Sequence, residues 1–412
     1  MERFTGLLGV ALILALAYAL SNNRKAINYR TVGVGLAVQF GLAVFILRTE
    51  VGQNIFQWLG NSVQKLLSFS DEGASFVFGS LVNSELMIQA FGQGNDFIFF
   101  FKVIPTIIFV AVLVNILYQV GIMQRVVSLI ARLVYKLMGV SGSEALSNVA
   151  STFVGQVEAQ IMIKPYLKTM TNSELMASMS GSFACIAGGV MAVYISLGVP
   201  APYLIAASLM AAPGALVISK IVFPETEVSE TKGMVNLEVK KSHANLLDAI
   251  AAGASEGLKV GLNVIAMLIG FIALVALMDF MLGKVGGLFS FPELSFNFLL
   301  GKLFAVFAWA MGVPSQDVET AGALMGTKMV INEFVAYLDL VAVKDQLDPK
   351  TLAITSFALC GFANFSSIAI QVGGISELAP TRRADLARLG FKALICGTLA
   401  SYMSATFAGI LL

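Results

Sequence analysis

Two glutamates, Glu158 and Glu333, lie inside stretches of sequence that are otherwise apolar enough for a membrane interior. The chain continues in the same way after each of them. The triplet Ser-Phe-Ala follows at 182–184 in the first case and, at nearly the same separation, at 356–358 in the second. A carboxylate within a bilayer costs roughly 2.5–3.5 kcal/mol on insertion scales, so it indicates a functional site. Two copies in matching contexts predict an internal repeat, with a binding site where the two halves meet.

Each triplet opens an apolar segment that is interrupted. The first segment contains Gly188-Gly189, and the second contains a polar run at 361–367. Broken apolar segments at matching places in two halves are typical of secondary transporters. The sequence therefore predicts a transporter.

Composition supports a membrane protein and argues against several other classes. The chain has 412 residues, of which 57% are hydrophobic and only 12% charged. Soluble domains carry about 25% charged residues. The net charge of +1 argues against a nucleic-acid partner. A single histidine and three cysteines without metal-ligand spacing leave little for zinc or Ser-His-Asp chemistry, so no enzyme is expected.

Several apolar runs are long enough to span a bilayer. The first is expected to be a retained span rather than a signal peptide, because its positive charges follow the apolar run instead of preceding it. Cationic flanks place both termini outside a bacterial-type inner membrane. The predicted spans lie at about 5–20, 31–48, 98–120, 173–198, 201–223, 257–282, 352–373 and 388–411.

Other apolar stretches do not suit full spans. Residues 122–140 carry basic side chains at helical spacing, which predicts a helix lying in the membrane interface, and 51–67 are expected to do likewise. Residues 144–170 and 317–345 have polar residues near their middles and predict re-entrant hairpins. The predicted fold is an all-α multi-pass membrane protein with about eight transmembrane helices, two re-entrant helical hairpins in an inverted repeat, and interfacial helices.

Three motifs resemble those of the concentrative nucleoside transporter family. They are Gly155-Gln156 with Glu158-Ala159, the run Asn-Glu-Phe-Val-Ala-Tyr at 332–337, and the run Cys-Gly-Phe-Ala-Asn-Phe-Ser-Ser at 360–367. The resemblance extends from residue 21 to the last span. It implies a homotrimer in which each protomer has a scaffold part and a mobile transport part that moves like an elevator.

This resemblance, together with the spans, predicts five segments. Residues 1–143 are mainly scaffold spans and interfacial helices, and 144–223 form the first repeat of the transport part. A cytoplasmic connector with a short helix follows at 224–256. Residues 257–316 are scaffold spans, and 317–412 form the second transport repeat.

The resemblance also implies the substrate-binding residues: Gln156, Val157, Glu158, Val190, Glu333, Phe362, Asn364 and Ser367. Gln156 and Glu158 would face a nucleobase. Glu333, Asn364 and Ser367 would bind the ribose hydroxyls, with Phe362 nearby. The chemistry is suitable, because a carboxylate accepts hydrogen bonds from vicinal hydroxyls while an amide and a hydroxyl complete the set.

Structural alternatives exist for these polar residues. Glu333 could form an ion pair with Lys328, and Glu158 could pair with Lys164 across its hairpin. Asn364 and Ser367 could simply satisfy backbone groups that a broken helix leaves free.

The sequence departs from the family pattern near the expected ion site, which comprises Ser151, Val154, Cys185 and Ile186. Many members have Thr in place of Val157 and Pro in place of Gln160. Sodium-coupled members usually have Asn in place of Ser151, and Ser or Thr in place of Cys185. Sodium prefers oxygen ligands, and a cysteine sulfur is a poor substitute.

These observations predict import of uridine-like nucleosides driven by a cation gradient. Sodium coupling is favoured, through Ser151 and backbone carbonyls. Proton coupling through Glu158 or Glu333, or a variant with weakened sodium coupling, is the alternative. A channel or a nucleoside sensor with the same fold is a competing class of protein, and neither would accumulate the nucleoside.

Overall fold

The computed structural model describes residues 2–92, 97–233, 243–289, 291 and 293–412, and these form helices and connecting turns without a β-strand. The predicted all-α fold is confirmed for this part of the chain. The first helices are α1 (Glu2–Ala19), α2 (Tyr29–Arg48), α3 (Glu50–Phe78), α4 (Ser84–Phe91), α5 (Phe99–Val120), α6 (Ile122–Met138), α7 (Gly142–Ser151), α8 (Glu158–Ile161) and α9 (Asn172–Ala184). The following helices are α10 (Gly188–Ser196), α11 (Ala201–Val222), α12 (Leu246–Leu288), α13 (Phe296–Ala310), α14 (Val318–Val330), α15 (Glu333–Val343), α16 (Pro349–Leu359), α17 (Phe365–Leu378) and α18 (Arg383–Leu411).

Among the described residues, 6 helical stretches are long and apolar enough to cross a membrane by length and composition. They are Tyr29–Arg48, Phe99–Val120, Asn172–Ser196, Ala201–Val222, Leu246–Leu288 and Pro380–Leu411. The two further predicted spans are the shorter α1 and the interrupted pair α16–α17, so the count of eight stays a prediction. The predicted connector includes residues 234–242, which lie outside the described part of the chain.

The two predicted interfacial segments are helical. The buried side chains of α6 recur every three or four residues, at Met123, Val127, Ala131, Val134 and Met138, while its basic side chains lie on the exposed face. Residues 51–67 fall within the longer α3. Their position at a membrane interface stays a prediction.

Local sequence determines where the functional helices begin. At the start of α7, the Ser141 hydroxyl accepts from the Glu144 N–H while the Glu144 carboxylate accepts from the Ser141 N–H, which is a capping box. Helices α15 and α17 each begin after an asparagine, Asn332 and Asn364, whose side-chain oxygen accepts a backbone N–H of the first turn. Each asparagine therefore ends an irregular turn and begins a helix at a defined residue.

Two units of the chain share the same order of elements. Each opens with a helical hairpin: hairpin 1 is α7, the turn 152–157 and α8, and hairpin 2 is α14, the turn 331–332 and α15. Each hairpin is followed by a broken helix, α9–α10 or α16–α17, and then by a long helix, α11 or α18. These helix pairs overlap the two stretches, 144–170 and 317–345, for which the sequence predicts hairpins. Their re-entry into the membrane and the inverted relation of the units stay predictions.

The two broken helices cross at their breaks. Gly361 has a φ of 134°, and a Cβ there would lie 2.7 Å from the Ala184 carbonyl oxygen, so only glycine permits this approach. The Phe362 N–H donates to the Cys185 carbonyl at 3.2 Å. From α18, the Ser401 hydroxyl lies 2.8 Å from the Cys360 carbonyl oxygen. The breaks therefore form one buried crossing with α18 packed against it.

Helices α5 and α12 pack along a seam of glycines. Gly253 and Gly257 approach the backbone of α5 so closely that a Cβ would lie 2.8 Å from the Val112 Cα and 2.6 Å from the Ile108 Cα. Small residues at such spacing let two helices pack backbone to backbone. Helices α1 and α2 pack instead against α18 and α11.

Candidate functional site

Glu333 is the central residue of the candidate site. It is the first residue of α15 and its exposure is only 6%. Its Oε2 accepts a hydrogen bond from the Asn364 Nδ2 at 2.9 Å, and its Oε1 accepts one from the Tyr194 hydroxyl at 3.4 Å. Because Tyr194 lies on α10 and Asn364 begins α17, this carboxylate joins hairpin 2 to both broken helices.

Asn364 has two functions in this arrangement. Its Oδ1 accepts from the Ser367 N–H at 2.9 Å and from the Ser366 hydroxyl at 2.7 Å, which begins α17. Its Nδ2 is thereby oriented toward Glu333. The structural alternative for Asn364 was that it only satisfies backbone groups left free by the broken helix. This alternative explains the contacts of its oxygen but not the hydrogen bond of its nitrogen to Glu333.

The tip of hairpin 1 reaches the same end of α17. The Gln156 Nε2 lies 3.5 Å from the Ser367 hydroxyl, and the Gln371 Nε2 donates to the Gln156 Oε1 at 3.4 Å. Val157 packs beside Gly374, where a Cβ would lie 2.8 Å from both Val157 methyls. The structure therefore brings together Gln156, Ser367, Asn364 and Glu333, four of the residues that the family resemblance implied; their contact with a substrate stays a prediction.

Glu158 is placed differently from Glu333. Its side chain is exposed and lies over the backbone of Gly155. Val190 and Phe362 are half-buried at the two breaks. Contact of these three side chains with a substrate stays a prediction.

The two ion pairs considered as structural alternatives do not form. Among the ion pairs of the described residues, none joins Glu158 to Lys164 or Glu333 to Lys328. Lys328 donates to the Ala358 carbonyl at 2.8 Å instead. Neither glutamate is thus neutralised by the lysine nearest to it in sequence.

The expected ion-site residues are all buried, around the turn after α7 and the break after α9: Ser151, Val154, Cys185 and Ile186. The Ser151 hydroxyl donates to the Ser147 carbonyl at 2.8 Å and lies 3.0 Å from the Ser182 hydroxyl. The Cys185 sulfur is 3.7 Å from the Thr152 hydroxyl. This group thus contains hydroxyl oxygens, while its sulfur is a weak ligand for a hard cation, and ion binding here stays a prediction.

Gln160, a departure from the family pattern, belongs to this polar group. Its side chain is fully buried. The Nε2 donates to the Ser182 hydroxyl at 2.9 Å, and the Oε1 accepts from the Ser178 hydroxyl at 2.7 Å. The amide therefore ties hairpin 1 to α9 and occupies hydroxyls beside Ser151.

Sequence reasoning missed two residues of the site, Tyr194 and Gln371. Gln371 is fully buried, and its Oε1 has no hydrogen-bond partner within the described chain. Asn364, Ser367 and Gln371 are spaced three and four residues apart, so they lie on one face of α17, and this spacing could have identified Gln371. Tyr194 lies on α10, after the break at 185–187, but nothing in the sequence links it to Glu333.

Models of known protein families match three consecutive parts of this chain. Residues 8–81 match "Na+ dependent nucleoside transporter N-terminus", 100–201 match "Nucleoside recognition", and 203–409 match "Na+ dependent nucleoside transporter C-terminus". The chain belongs to the concentrative nucleoside transporter family. The family that the motifs indicated is thereby confirmed.

Relatives in this family match the chain over its full length. An uncharacterized transporter of Haemophilus influenzae is 44% identical, covering 100% of this chain and 98% of that protein. Nucleoside permease NupC of Helicobacter pylori is 40% identical, covering 98% and 96% respectively. The solved structure of CNTnw in an inward-facing substrate-bound state is 42% identical, with a TM-score of 0.94 and coverage of 100% and 98%. These relatives are transporters, so the prediction that the chain is not an enzyme is confirmed.

Proposed function

We propose that this family member imports uridine-like nucleosides across a bacterial inner membrane, driven by an inward cation gradient. The observation that carries the proposal is the buried Glu333 carboxylate, which has an amide and a phenol as partners and no counter-ion within salt-bridge distance among the described residues. Such a carboxylate remains available to accept hydrogen bonds from a ligand.

A ribose suits this position. Its vicinal hydroxyls can both donate to one carboxylate, and the Gln156 and Ser367 side chains lie at the same end of α17. Removing a hydroxyl would remove one hydrogen bond to this buried charged acceptor, at a cost of roughly 1.5–3 kcal/mol. The exposed Glu158 carboxylate and the Gln156 amide at the tip of hairpin 1 are proposed to face the nucleobase.

The transport movement is proposed to be of the elevator type. The two hairpins, the crossing of the broken helices and the helices α11 and α18 pack together, which supports their movement as one transport part. The α5–α12 pair is proposed to be scaffold within a homotrimer. The inward-facing, substrate-bound state of the similar CNTnw supports alternating access.

Sodium is the proposed coupling ion, held by the Ser151 hydroxyl and by the carbonyl oxygens of Val154 and Ile186. The family to which the chain belongs supports sodium. One observation favours a weakened site or proton coupling as the second candidate: the Ser151 hydroxyl already has two partners within the chain. A single charge moving down 100 mV yields about 2.3 kcal/mol, so one cation of either kind suffices to concentrate substrate.

Uptake into liposomes tests the proposal. Purified protein should accumulate radiolabelled uridine under an inward sodium gradient, and an inward proton gradient without sodium tests the alternative. Glu333→Gln should abolish uptake. The matched control is Glu319→Gln on the same hairpin, because Glu319 is exposed and its ion pair within the described chain is with the exposed Lys302. Full uptake by the Glu333→Gln protein would refute this assignment of the site.

A further inference from the structure

Lys328 is a buried charged residue that the proposed function does not use. It lies on α14, its exposure is 1%, and it is among the largest fully buried side chains of the described chain. Its Nζ donates to the Ala358 carbonyl oxygen at 2.8 Å. Among the ion pairs of the described residues, none includes Lys328. A buried ammonium without a carboxylate partner is unfavourable unless something else compensates its charge.

The compensating group is the C-terminal end of α16. Ala358 is in the last turn of this helix, which ends at Leu359. The last carbonyls of a helix are not used within it and carry a partial negative charge. The neighbouring Ser356 carbonyl accepts from the Tyr337 hydroxyl at 2.8 Å, so side chains of hairpin 2 satisfy this helix end. The ammonium lies where a cation is stabilised.

Hairpin 2 also bonds to the helix on the other side of the α16–α17 break. Glu333 bonds to Asn364, the residue that begins α17, and the N-terminal end of a helix carries a partial positive charge. Lys328 and Glu333 flank the turn of hairpin 2. One hairpin therefore places a cation at the negative helix end and an anion at the positive helix end of a single break.

At the corresponding helix end of the first unit, the described part of the chain places no such cation. At the end of α9, the Cys185 carbonyl accepts from the Phe362 N–H at 3.2 Å, and the Ala184 carbonyl lies 3.5 Å from the Ser401 hydroxyl. Among the described residues, these partners at the end of α9 are neutral. This is also the helix end beside Ser151, where the coupling ion is proposed to bind.

We propose that Lys328 is a tethered cation of the second unit. Its ammonium lies at the α16–α17 break in the position that corresponds to the mobile cation proposed at the α9–α10 break. Its charge keeps Glu333 in the anionic form, oriented toward the ribose. Lys328 is thus a positioning residue, because it acts on substrate through Glu333. The inference rests on the proposed function of Glu333 as the ribose-binding carboxylate.

Selectivity for the ribose hydroxyls tests this role. Binding of uridine and of 2′,3′-dideoxyuridine is measured at equilibrium on purified protein in detergent, for the wild type, Lys328→Met, Glu333→Gln and the double variant. Lys328→Met should weaken uridine binding at least tenfold and dideoxyuridine binding far less. The ratio of the uridine affinity to the dideoxyuridine affinity should therefore fall toward the ratio measured for Glu333→Gln. The double variant should show no further fall in that ratio.

Lys102→Met is the matched control, because the Lys102 ammonium also donates to a backbone carbonyl, that of Val82, away from the site. It should leave the ratio unchanged. If Lys328→Met does not yield monodisperse protein, Lys328→Gln, which keeps a hydrogen-bond donor without the charge, takes its place.

Two results are decisive and distinguishable. A wild-type ratio in the Lys328 variant, together with a collapsed ratio in Glu333→Gln, would overturn the tethered cation and leave the proposed function intact. A wild-type ratio in Glu333→Gln would overturn the ribose assignment itself.

Discussion

Replacing Asn364 by aspartate separates the two functions of this side chain. The Oδ1 that begins α17 is kept, because aspartate caps helices as well as asparagine does. The Nδ2 that donates to Glu333 is lost, and a second carboxyl takes its place at about the same distance, 2.9 Å. The expected result is a protein that still folds but binds uridine more weakly.

The size of the effect follows from this geometry. A hydrogen bond to a charged group contributes about 1.5–3 kcal/mol. Since about 1.4 kcal/mol corresponds to tenfold, uridine should bind roughly ten to a hundred times more weakly. Two ionised carboxylates 2.9 Å apart would repel by about 6 kcal/mol at an effective dielectric constant of 20, so the pair is expected to share one proton at neutral pH. That proton reduces the negative charge on Glu333, and the ribose hydroxyls then lose their hydrogen bonds to a fully charged acceptor.

Equilibrium binding of radiolabelled uridine to purified Asn364→Asp protein measures this loss, with the thermal midpoint recorded on the same sample. Asn332→Asp is the matched control: Asn332 is likewise a buried cap, accepting from the Val335 N–H at 2.9 Å, but its side chain does not bond to Glu333. Equal losses in the two variants, or none in Asn364→Asp, would refute the account of Asn364 as a partner of Glu333.

Three further substitutions test other parts of the structure. Gly374→Ala should reduce uridine uptake because the new Cβ would lie 2.8 Å from methyls of hairpin 1, whereas Gly373→Ala, with nothing within 4 Å, should not; equal uptake would contradict this packing. Lys220→Met should destabilise the protein by about 3–5 kcal/mol because it leaves the buried Glu144 carboxylate unpaired, and adding Glu144→Gln should recover most of the loss in thermal unfolding. Cys185→Ser should lower the sodium concentration for half-maximal uptake, since it exchanges a soft sulfur for an oxygen; an unchanged sodium titration would count against Cys185 as a ligand.

The fold was predictable at the positions where polar residues interrupt an apolar stretch of the sequence. Glu333 and the run at 361–367 interrupt stretches that would otherwise form continuous helices, and in the structure the helices break at 331–332, just before Glu333, and at 360–364. Asparagine before an apolar run is a strong helix-start pattern, which fixes the beginnings of α15 and α17. The pairing of hairpin 2 with the α16–α17 break came from the family resemblance, because spacing along a chain does not show which breaks meet in space.

The rest of the site depends on contacts between distant elements. Tyr194 reaches Glu333 only because α9–α10 crosses α16–α17. Sequence proximity suggested an ion pair between Lys328 and Glu333, yet the turn of hairpin 2 directs the two side chains to opposite ends of a break. Gln160 differs from the family pattern, but its engagement of Ser182 depends on how hairpin 1 lies against α9.

The length of α12 has a consequence for the surrounding lipid. This helix has 43 residues, which at 1.5 Å per residue is about 65 Å, while the hydrocarbon core of a bilayer is only about 30 Å thick. Its glycine seam with α5 ends at Gly261, and from there to Leu288 about 40 Å of helix continues with most of its side chains exposed. Packing within one protomer therefore leaves the tilt of this long segment largely open. Neighbouring protomers of the proposed trimer and the thickness of the bilayer, and with it the length of the acyl chains, are left to determine how steeply α12 leans.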